Sequence, residues 1–270
     1  MVSFPNAKIN IGLNITERRS DGYHNLESVF YPIAIKDVVE VIEATELKFT
    51  ASGLDIPGDL KDNLCMKAYR LLGKDHDLPP VHIHLHKHVP IGAGLGGGSS
   101  DAAFFIRLIS DKFKLGLTDE QMEDYCRLLG ADCAFFIKNK PVFAFGKGDE
   151  FKSVDLDLSG YFIVLVMPEV QVSTSEAYRG INPAKAKDSL LEGIKLPVSE
   201  WRNVIKNDFE ESIFKHHPSV RGVKASLYEA GALYASMSGS GSSVYGIFTE
   251  KIKLPDLEKS NEVFYGVGDL

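Results

Sequence analysis

The sequence has few cysteines and no long apolar run, and both shortages exclude classes of protein. Its three cysteines, Cys65, Cys126 and Cys133, include no C-x-x-C pair, so the sequence indicates neither a disulfide framework nor a zinc site. No apolar stretch approaches the roughly 18 residues that a membrane-spanning helix needs. The first residues lack a basic start followed by an apolar stretch, so we expect no signal peptide. We therefore expect a cytoplasmic protein.

A surplus of basic residues is also missing. Lys and Arg total 30 against 37 Asp and Glu, which gives a formal net charge of −7. This balance does not favour nucleic acid or an anionic membrane as a partner, and any anionic ligand must be held by local groups. The 270 residues, 44% hydrophobic and 25% charged, are enough for one large domain or two modest ones with a substantial core.

Strand-like and helix-like segments are mixed along the chain without a regular alternation. Apolar residues occupy every second position of 7–16, with Lys8 and Asn10 on the opposite, polar face, and this period predicts a half-buried strand. Residues 81–89 alternate in the same way, whereas 102–113 follow a glycine-rich stretch and read as a helix. The mixture favours an α+β fold over a doubly wound parallel sheet.

Residues 90–101 carry the most specific chemical signal in the chain. They read Pro-Ile-Gly-Ala-Gly-Leu-Gly-Gly-Gly-Ser-Ser-Asp, with five glycines in seven positions. Glycine loses more backbone entropy on folding than any other residue, so such a run is useful where backbone N–H groups must close on a ligand. Between a strand and a helix, the run also lies at the positive end of the helix dipole, which suits phosphate. No Gly-Lys-[Ser/Thr] ends the run, so it is not a Walker A loop.

Three polar side chains beside this glycine loop have two interpretations each. Ser99 or Ser100 could be the N-cap of the following helix, or could contact phosphate or magnesium. Lys87, three residues before Pro90, could meet a nucleotide or could be a solvated strand residue. The residues alone leave these alternatives open.

Three segments resemble, in order, the motifs of the GHMP kinases, the family of galactokinase and of homoserine, mevalonate and phosphomevalonate kinases. They are 5–10 (Pro-Asn-Ala-Lys-Ile-Asn), the glycine loop 90–103, and the late Gly/Ser loop 237–245. Asp-Gly-Tyr-His at 21–24 and Gly-Ala-Asp-Cys-Ala-Phe-Phe at 130–136 are similar to members that act in the non-mevalonate route to isopentenyl diphosphate. The resemblance implies a two-domain α+β fold, with domains 1–150 and 151–270 and an active-site cleft between them.

The resemblance also implies an activity, which is transfer of the γ-phosphoryl group of ATP to the 2-hydroxyl of the methylerythritol unit of a cytidine diphosphate sugar alcohol, with Mg²⁺ as cofactor. Asp132 matches the catalytic base, and Lys8 the lysine that orients it and stabilises developing charge. The implied ATP-binding residues are Pro90, Gly92, Gly94, Leu95, Gly96, Gly97, Gly98, Ser99, Ser100, Asn63 and Lys87. The implied substrate-binding residues are Asn10, Tyr23, His24, Thr174, Tyr178 and Gly239.

Among the substrate-side residues, Tyr23 matches an aromatic that stacks on cytosine, His24 a hydrogen-bonding partner of that base, and Tyr178 the opposite aromatic wall. One departure from the family pattern is Cys133-Ala134, where relatives often have proline before the paired phenylalanines. We expect this change to alter packing beside Asp132 without removing the carboxylate. No second carboxylate is dedicated to magnesium, so no protein metal ligand is assigned and the phosphates and water would hold the ion.

Other interpretations remain at this point. The chain could be another GHMP kinase, acting on mevalonate, homoserine or a sugar, or a nucleotide-binding protein without catalysis. The histidines on alternate positions of 82–88 have no Cys or carboxylate at ligand spacing, so they predict a polar strand face rather than a metal site. We expect a monomer or a weak homodimer.

Overall fold

The structure is a computed structural model that describes residues 1–184 and 189–268. Within these ranges the strands are β1 (Val2–Ser3), β2 (Asn6–Arg18), β3 (His24–Lys36), β4 (Val38–Glu43), β5 (Lys48–Gly53), β6 (Val81–Lys87), β7 (Val142–Phe145), β8 (Glu150–Ser153), β9 (Phe162–Pro168), β10 (Tyr234–Met237), β11 (Val244–Phe248) and β12 (Asn261–Tyr265). The helices are α1 (Leu64–Leu72), α2 (Gly97–Phe113), α3 (Asp119–Arg127), α4 (Phe135–Lys138), α5 (Thr174–Arg179), α6 (Leu190–Gly193), α7 (Val198–Val204), α8 (Phe209–His216), α9 (Pro218–Glu229) and α10 (Pro255–Glu258), and a 3-10 helix spans Leu60–Asp62. No helix within the described ranges is both long and apolar enough to cross a membrane.

The chain divides into two compact units that are interleaved in sequence. Unit 1 comprises Met1–Ala7, Ile35–Ile91 and Gly96–Lys140, and unit 2 comprises Lys8–Ala34, Gly92–Leu95 and the chain from Pro141 onward. The predicted boundary near residue 150 gives 8–34 to the first domain, whereas the contacts give this segment to unit 2. The reason is core packing, because Leu13 and Ile15 of this segment are buried with residues of β9, β11, α8 and α9.

Unit 1 is built on a four-stranded sheet in the order β1-β4-β6-β5, in which β4 is antiparallel and β5 parallel to β6. Alternate residues of β4 and β6, such as Val41 and Ile83, are fully buried, and helices α1 and α2 pack against each other in the same unit. On the other face, His84 of β6 hydrogen bonds to Thr50 and Ser52 of β5, at 2.8 and 3.0 Å. The prediction of a polar strand face is confirmed, and no group of three metal-ligating side chains occurs among the described residues.

Unit 2 contains two sheets, in the orders β2-β3-β7-β8 and β10-β11-β9-β12. The C-terminal half of β2 contributes Leu13 and Ile15 to a core that it shares with β9, β11, α8 and α9. This packing fixes the strand that carries Lys8 and Asn10 relative to the elements on both sides of the late Gly/Ser loop.

The helix after the glycine loop begins five residues earlier than predicted. Gly96 is the N-cap of α2 and has a left-handed φ of 69°, so the helix starts at Gly97 inside the glycine run. Ser99 and Ser100 lie in its first turn, and neither caps it, so the N-cap interpretation of these serines is wrong. A left-handed N-cap is a conformation that glycine adopts without steric cost, which is why propensity alone misplaced this boundary.

Candidate active site

The glycine loop turns through three left-handed residues before it enters α2. Gly92, Gly94 and Gly96 have φ values of 72°, 78° and 69°, a region in which residues with a Cβ atom are strained. The first N–H groups of a helix have no partner within the helix, and they lie at its positive end. The loop and the first turn of α2 therefore offer a run of backbone donors suited to phosphate.

Within unit 2, the first half of this loop touches the late Gly/Ser loop backbone to backbone. A Cβ atom on Gly94 would lie 1.9 Å from the carbonyl oxygen of Ser238, and one on Gly241 would lie 2.1 Å from the carbonyl carbon of Ala93. Two hydroxyls fasten the contact, because Ser238 Oγ donates to Gly94 O at 3.0 Å and Ser243 Oγ donates to Ala93 O at 2.6 Å. Only glycine at these positions permits so close an approach.

Lys8 is buried against this pair of loops. Its side chain is 3% exposed, and its ammonium donates to Gly94 O at 3.1 Å and to Asn10 Oδ1, while lying 4.8 Å from the centre of the Phe30 ring. The ammonium therefore lies directly at the glycine loop. Lys8 is therefore not a surface residue.

Asn10 completes this arrangement on the same strand. Its Nδ2 donates to Ser28 Oγ at 2.8 Å, and its backbone N–H donates to Ser238 Oγ at 3.2 Å. The prediction that the strand is half-buried is wrong, because the polar face that carries Lys8 and Asn10 is covered by the two Gly-rich loops and is buried as completely as the apolar face.

In unit 1, Lys87 lies beneath the first turn of α2 in a buried cluster of charges. It is 4% exposed and donates to Asp37 and to Asp101 Oδ2, the latter at 2.8 Å. Asp37 Oδ1 also accepts the backbone N–H groups of His88 and Val89, at 2.6 and 2.8 Å. Burial lowers the pKa of Lys87, but the two carboxylates outweigh it and the net pKa is raised. The interpretation of Lys87 as a solvated strand residue is therefore wrong.

Replacing Lys87 by methionine should destabilise the protein by about 3–5 kcal/mol, because the change leaves two buried carboxylates without their cation. The measurement is urea unfolding followed by circular dichroism. Lys112→Met is the matched control, since Lys112 pairs with the exposed Glu43 and such a pair contributes at most about 1 kcal/mol. Equal losses for the two variants would contradict a structural role for the buried cluster.

The same cluster predicts a pH dependence of stability. Burial raises the pKa of Asp101 to about 7 from an unfolded value of 3.8, so the native state binds a proton more tightly than the unfolded state does. The stability linked to this proton is fully present below pH 3.8 and is lost as the pH rises through about 7. Asp101→Asn should therefore flatten the fall in unfolding free energy between pH 5 and 8, measured by urea titration. An unchanged slope would exclude Asp101 as its source.

Asp132 lies half-buried in the turn that joins α3 to α4. A Cβ atom on Gly130 would lie 3.2 Å from Cys133 Sγ and 4.0 Å from Ser99 Oγ, so this turn borders the first turn of α2. Burial raises the pKa of the Cys133 thiol to about 11; the Ser99 hydroxyl opposes this shift and the Asp132 carboxylate adds to it. Cys133 and Ala134 are both buried, and the carboxylate of Asp132 is retained beside the end of the glycine loop.

Asn63 and Ser100 of unit 1, which were predicted to bind the nucleotide, lie at the starts of α1 and α2. Asn63 caps α1, with its Oδ1 accepting the N–H of Cys65 at 2.9 Å, and a Cβ atom on Gly98 would lie 3.9 Å from Leu64 Cδ1. The start of α1 is thus next to the start of α2. Ser100 is fully buried, and its Oγ has no hydrogen-bond partner among the described residues, so Ser99 is the more accessible of the two hydroxyls.

The predicted substrate-side residues of unit 2 include a stacked aromatic pair. The ring of Tyr178 stacks on His24 at 4.8 Å and 25°, and meets Phe209 edge-on at 4.9 Å. Tyr23 is 64% exposed, and the Lys147 ammonium lies 5.6 Å from its ring centre.

Thr174 and Gly239 are connected to the late Gly/Ser loop. Thr174 Oγ1 accepts from Ser240 Oγ at 3.3 Å. A Cβ atom on Gly239 would lie 3.1 Å from Asn10 Oδ1. Within unit 2, the structure therefore brings Lys8, Asn10 and both of these residues to the same loop.

Sequence reasoning missed the side chains that join the late Gly/Ser loop to the glycine loop. Ser238 and Ser243 stand in the recognised motif, but their hydrogen bonds to the first glycine loop could be found only from the structure. The turn that carries Lys147 could be predicted from the sequence, because Lys147 stands between Gly146 and Gly148. Nothing in the sequence placed that turn beside Tyr23.

Two family models match the chain: "GHMP kinases N terminal domain" over residues 63–140 and "GHMP kinases C terminal" over residues 194–264. Together they cover more than half of it. The chain belongs to the GHMP kinase family. The predicted family and the predicted α+β, two-domain fold class are both confirmed.

Individual relatives agree with this membership. The chain is 56% identical over 264 residues to a 4-diphosphocytidyl-2-C-methyl-D-erythritol kinase of Bacteroides fragilis, with 96% of each chain covered. It is 52% identical to the protein of the same name in Bacteroides thetaiotaomicron, over the whole of both chains. Among solved structures, a 4-(cytidine 5'-diphospho)-2C-methyl-D-erythritol kinase matches with a TM-score of 0.80 at 27% identity, covering 98% of each chain. Methanococcus jannaschii mevalonate kinase shares the fold, with a TM-score of 0.68 at 15% identity.

Proposed function

We propose that this protein transfers the γ-phosphoryl group of ATP to the 2-hydroxyl of 4-diphosphocytidyl-2-C-methyl-D-erythritol, giving the 2-phosphate and ADP. This reaction belongs to the methylerythritol phosphate route to isopentenyl diphosphate. The observation that carries the proposal is 56% identity over 96% of both chains with a relative of that name. The glycine loop with Lys8 buried against it supports a phosphoryl transfer specifically.

The acceptor hydroxyl is tertiary and weakly acidic, so its attack on phosphorus needs a base and a nearby positive charge. Asp132 is the proposed base, and its half-buried carboxylate would accept the hydroxyl proton as the new P–O bond forms. Lys8 is the proposed cation, whose ammonium would stabilise charge on the transferring phosphoryl oxygens. Its hydrogen bond to Gly94 O supports this role, because that carbonyl belongs to the loop proposed to hold the phosphates.

The phosphates of ATP would lie against the backbone N–H groups of the glycine loop and the first turn of α2. Asn63 at the start of α1 and Lys87 beneath α2 were predicted as nucleotide contacts. The burial of Lys87 between two carboxylates favours an indirect part, in which it holds α2 in place.

Magnesium is the proposed cofactor. Mg²⁺ usually takes one or two protein oxygens and fills its remaining positions with substrate phosphates and water, so a cluster of carboxylates is not required. The Ser99 hydroxyl, in the first turn of α2 beside the Asp132 turn, fits this mode and would supply an oxygen. When bound, the ion would supply positive charge to the phosphate oxygens.

The cytidine end of the acceptor would be held by aromatic side chains. We propose that Tyr23 and Tyr178 stack on the pyrimidine and that His24 hydrogen bonds to it, while Asn10, Thr174 and Gly239 contact the sugar alcohol. The stacked pair of His24 and Tyr178 supports this assignment. Aromatic side chains that are already packed against each other lose little rotational freedom when the base binds. The cytoplasmic location and the monomeric or weakly dimeric state stay predictions.

The acceptor is tested by an assay of ADP release with a fixed ATP concentration and four acceptors. They are 4-diphosphocytidyl-2-C-methyl-D-erythritol, mevalonate, homoserine and galactose. We expect turnover with the first only. Turnover with one of the other three instead would assign the chain to another branch of the family, and ATP binding without turnover of any acceptor would indicate a non-catalytic nucleotide-binding protein.

A further inference from the structure

The segment Asn207–Glu210, which leads into α8, carries polar side chains that are almost fully buried and that the proposed reaction does not use. Asn207 is 3% exposed, and Glu210 is buried beside it. Their hydrogen bonds show that they hold the late Gly/Ser loop and the strand end before it.

Asn207 hydrogen bonds to this loop on both sides of Ser238. Its Nδ2 donates to the carbonyl oxygens of Met237 and Gly239, each at 2.9 Å, while its Oδ1 accepts the N–H of Phe209 at 3.0 Å. Both amide protons are thus used on the two residues that flank Ser238.

Glu210 holds the strand end just before the loop. Its Oε1 accepts the N–H of Met237 at 2.9 Å and the hydroxyl of Ser236 at 3.2 Å, and its Oε2 accepts from Lys224 at 2.6 Å. Because β10 is an edge strand of its sheet, these bonds satisfy backbone groups that no neighbouring strand pairs. Hydrogen bonding to the unpaired edge of β10 is enough to explain why Glu210 is buried here. It does not explain why the Asn207 side chain bonds to the late loop.

The same segment is also bonded to the strand that carries Lys8. Leu13 N donates to Lys206 O and Asp208 N donates to Leu13 O, both at 2.8 Å, while Asp208 Oδ2 accepts the N–H of Ile15 at 2.7 Å. One short segment therefore fixes both β2 and the late loop, and these two elements meet at Ser238, whose Oγ accepts from Asn10 N and donates to Gly94 O.

We infer that Asn207 is a positioning residue for phosphoryl transfer, which sets Ser238 and through it the Gly94 carbonyl that holds the Lys8 ammonium. The inference rests on the proposed function for the identity of the nucleotide, ATP, and adds a residue that touches neither ATP nor the acceptor. Gly94 O receives both Ser238 Oγ and Lys8 Nζ, so a shift of Ser238 displaces the loop and the cation together.

The test compares Asn207→Leu and Asn207→Asp with wild type by calorimetric titration of ATP and by the kcat and KM for ATP. Leucine removes the amide without a large change of volume, and aspartate places a carboxylate against two carbonyl oxygens. Loss of the two hydrogen bonds should raise the Kd and KM for ATP about tenfold, with a fall in kcat. Val220→Ala, in the core of the same unit, is the control, and it should lower Tm without changing the KM for ATP.

A double-mutant cycle separates positioning from a general loss of stability. If Asn207 acts through Ser238, then Ser238→Ala and Asn207→Leu raise the KM for ATP non-additively, and the double variant resembles the worse single one. A lower Tm with unchanged KM in both Asn207 variants, or additive effects in the cycle, would overturn the inference. ATP titration needs no acceptor, so a wild type that binds ATP but phosphorylates none of the four acceptors would refute the proposed function while the Asn207 comparison still stands. A wild type that does not bind ATP refutes both.

Discussion

Replacing Asp132 by asparagine should lower kcat by about 10³-fold, because general base catalysis contributes of that order and an amide cannot accept the hydroxyl proton. The Kd for ATP should stay close to the wild-type value. Asparagine has nearly the same shape, and in our proposal the nucleotide is held by backbone groups of the glycine loop. Single-turnover measurement of phosphoryl transfer, together with ATP titration, gives the two quantities separately.

The control for this substitution is Asp124→Asn, which changes the same functional group on the exposed face of α3, where Asp124 pairs with Arg127. This variant should keep wild-type kcat. If Asp132→Asn retained turnover within a few-fold of wild type, Asp132 would not be the base. If it lost ATP binding as well, its part would be structural, because the turn borders the first turn of α2.

Replacing Lys8 by methionine is expected to have the second largest effect, a loss of about 10²–10³ in kcat, the cost typical of removing one electrostatic donor at a transition state. The hydrophobic part of the side chain remains to pack against Phe30. The Gly94 carbonyl keeps its hydrogen bond from Ser238, so the glycine loop should hold its shape and the Kd for ATP should change less than kcat. Measurement of both constants over a range of ATP concentrations checks this split.

Lys8→Arg should fail to restore activity, since a planar guanidinium needs more room than a side chain that is 3% exposed can gain. Lys36→Met, on the exposed end of β3, is the control and should be active. A wild-type kcat in Lys8→Met would show that Lys8 has no role in the reaction. An unfolded Lys8→Met protein would show that the ammonium is needed for folding.

Much of the proposed phosphate-binding region could be predicted because its sequence signals are local. The run of glycines in 92–98 by itself indicates a backbone conformation that other residues rarely adopt. Strand periodicity alone places Lys8 and Asn10 on one face of β2. What periodicity could not supply was the cover over that face. The late loop that buries it lies more than 220 residues along the chain, and the contact depends on the absence of side chains at Gly94 and Gly241.

The error at the start of α2 has a similar cause. Helix propensity places glycines outside a helix, but the left-handed N-cap at Gly96 and the buried cluster around Lys87 fix the first turn within the glycine run. Lys87 itself could not be interpreted from the sequence, because one of its carboxylate partners, Asp37, is fifty residues away. The burial of Lys87 is decided by its ion pairs with residues distant in sequence, whereas the local pattern shows only a polar residue on a strand.

Asn207 shows the limit of sequence reasoning most clearly. An asparagine before an aspartate and a helix suggests a cap, and it does accept one helix N–H through its Oδ1. Its amide, however, is directed to a loop that follows thirty residues later. Backbone carbonyls have no sequence signature, so side chains that bind them can be found only once the fold is known.

The most direct test of the proposed reaction is phosphorus NMR of a mixture of the full chain, ATP, Mg²⁺ and 4-diphosphocytidyl-2-C-methyl-D-erythritol. We expect one new phosphomonoester resonance on the tertiary 2-hydroxyl, formed in step with ADP, while the acceptor's diphosphate resonances persist. Loss of the acceptor's diphosphate, phosphorylation of a different hydroxyl, or no new monoester in a protein that binds ATP would contradict it.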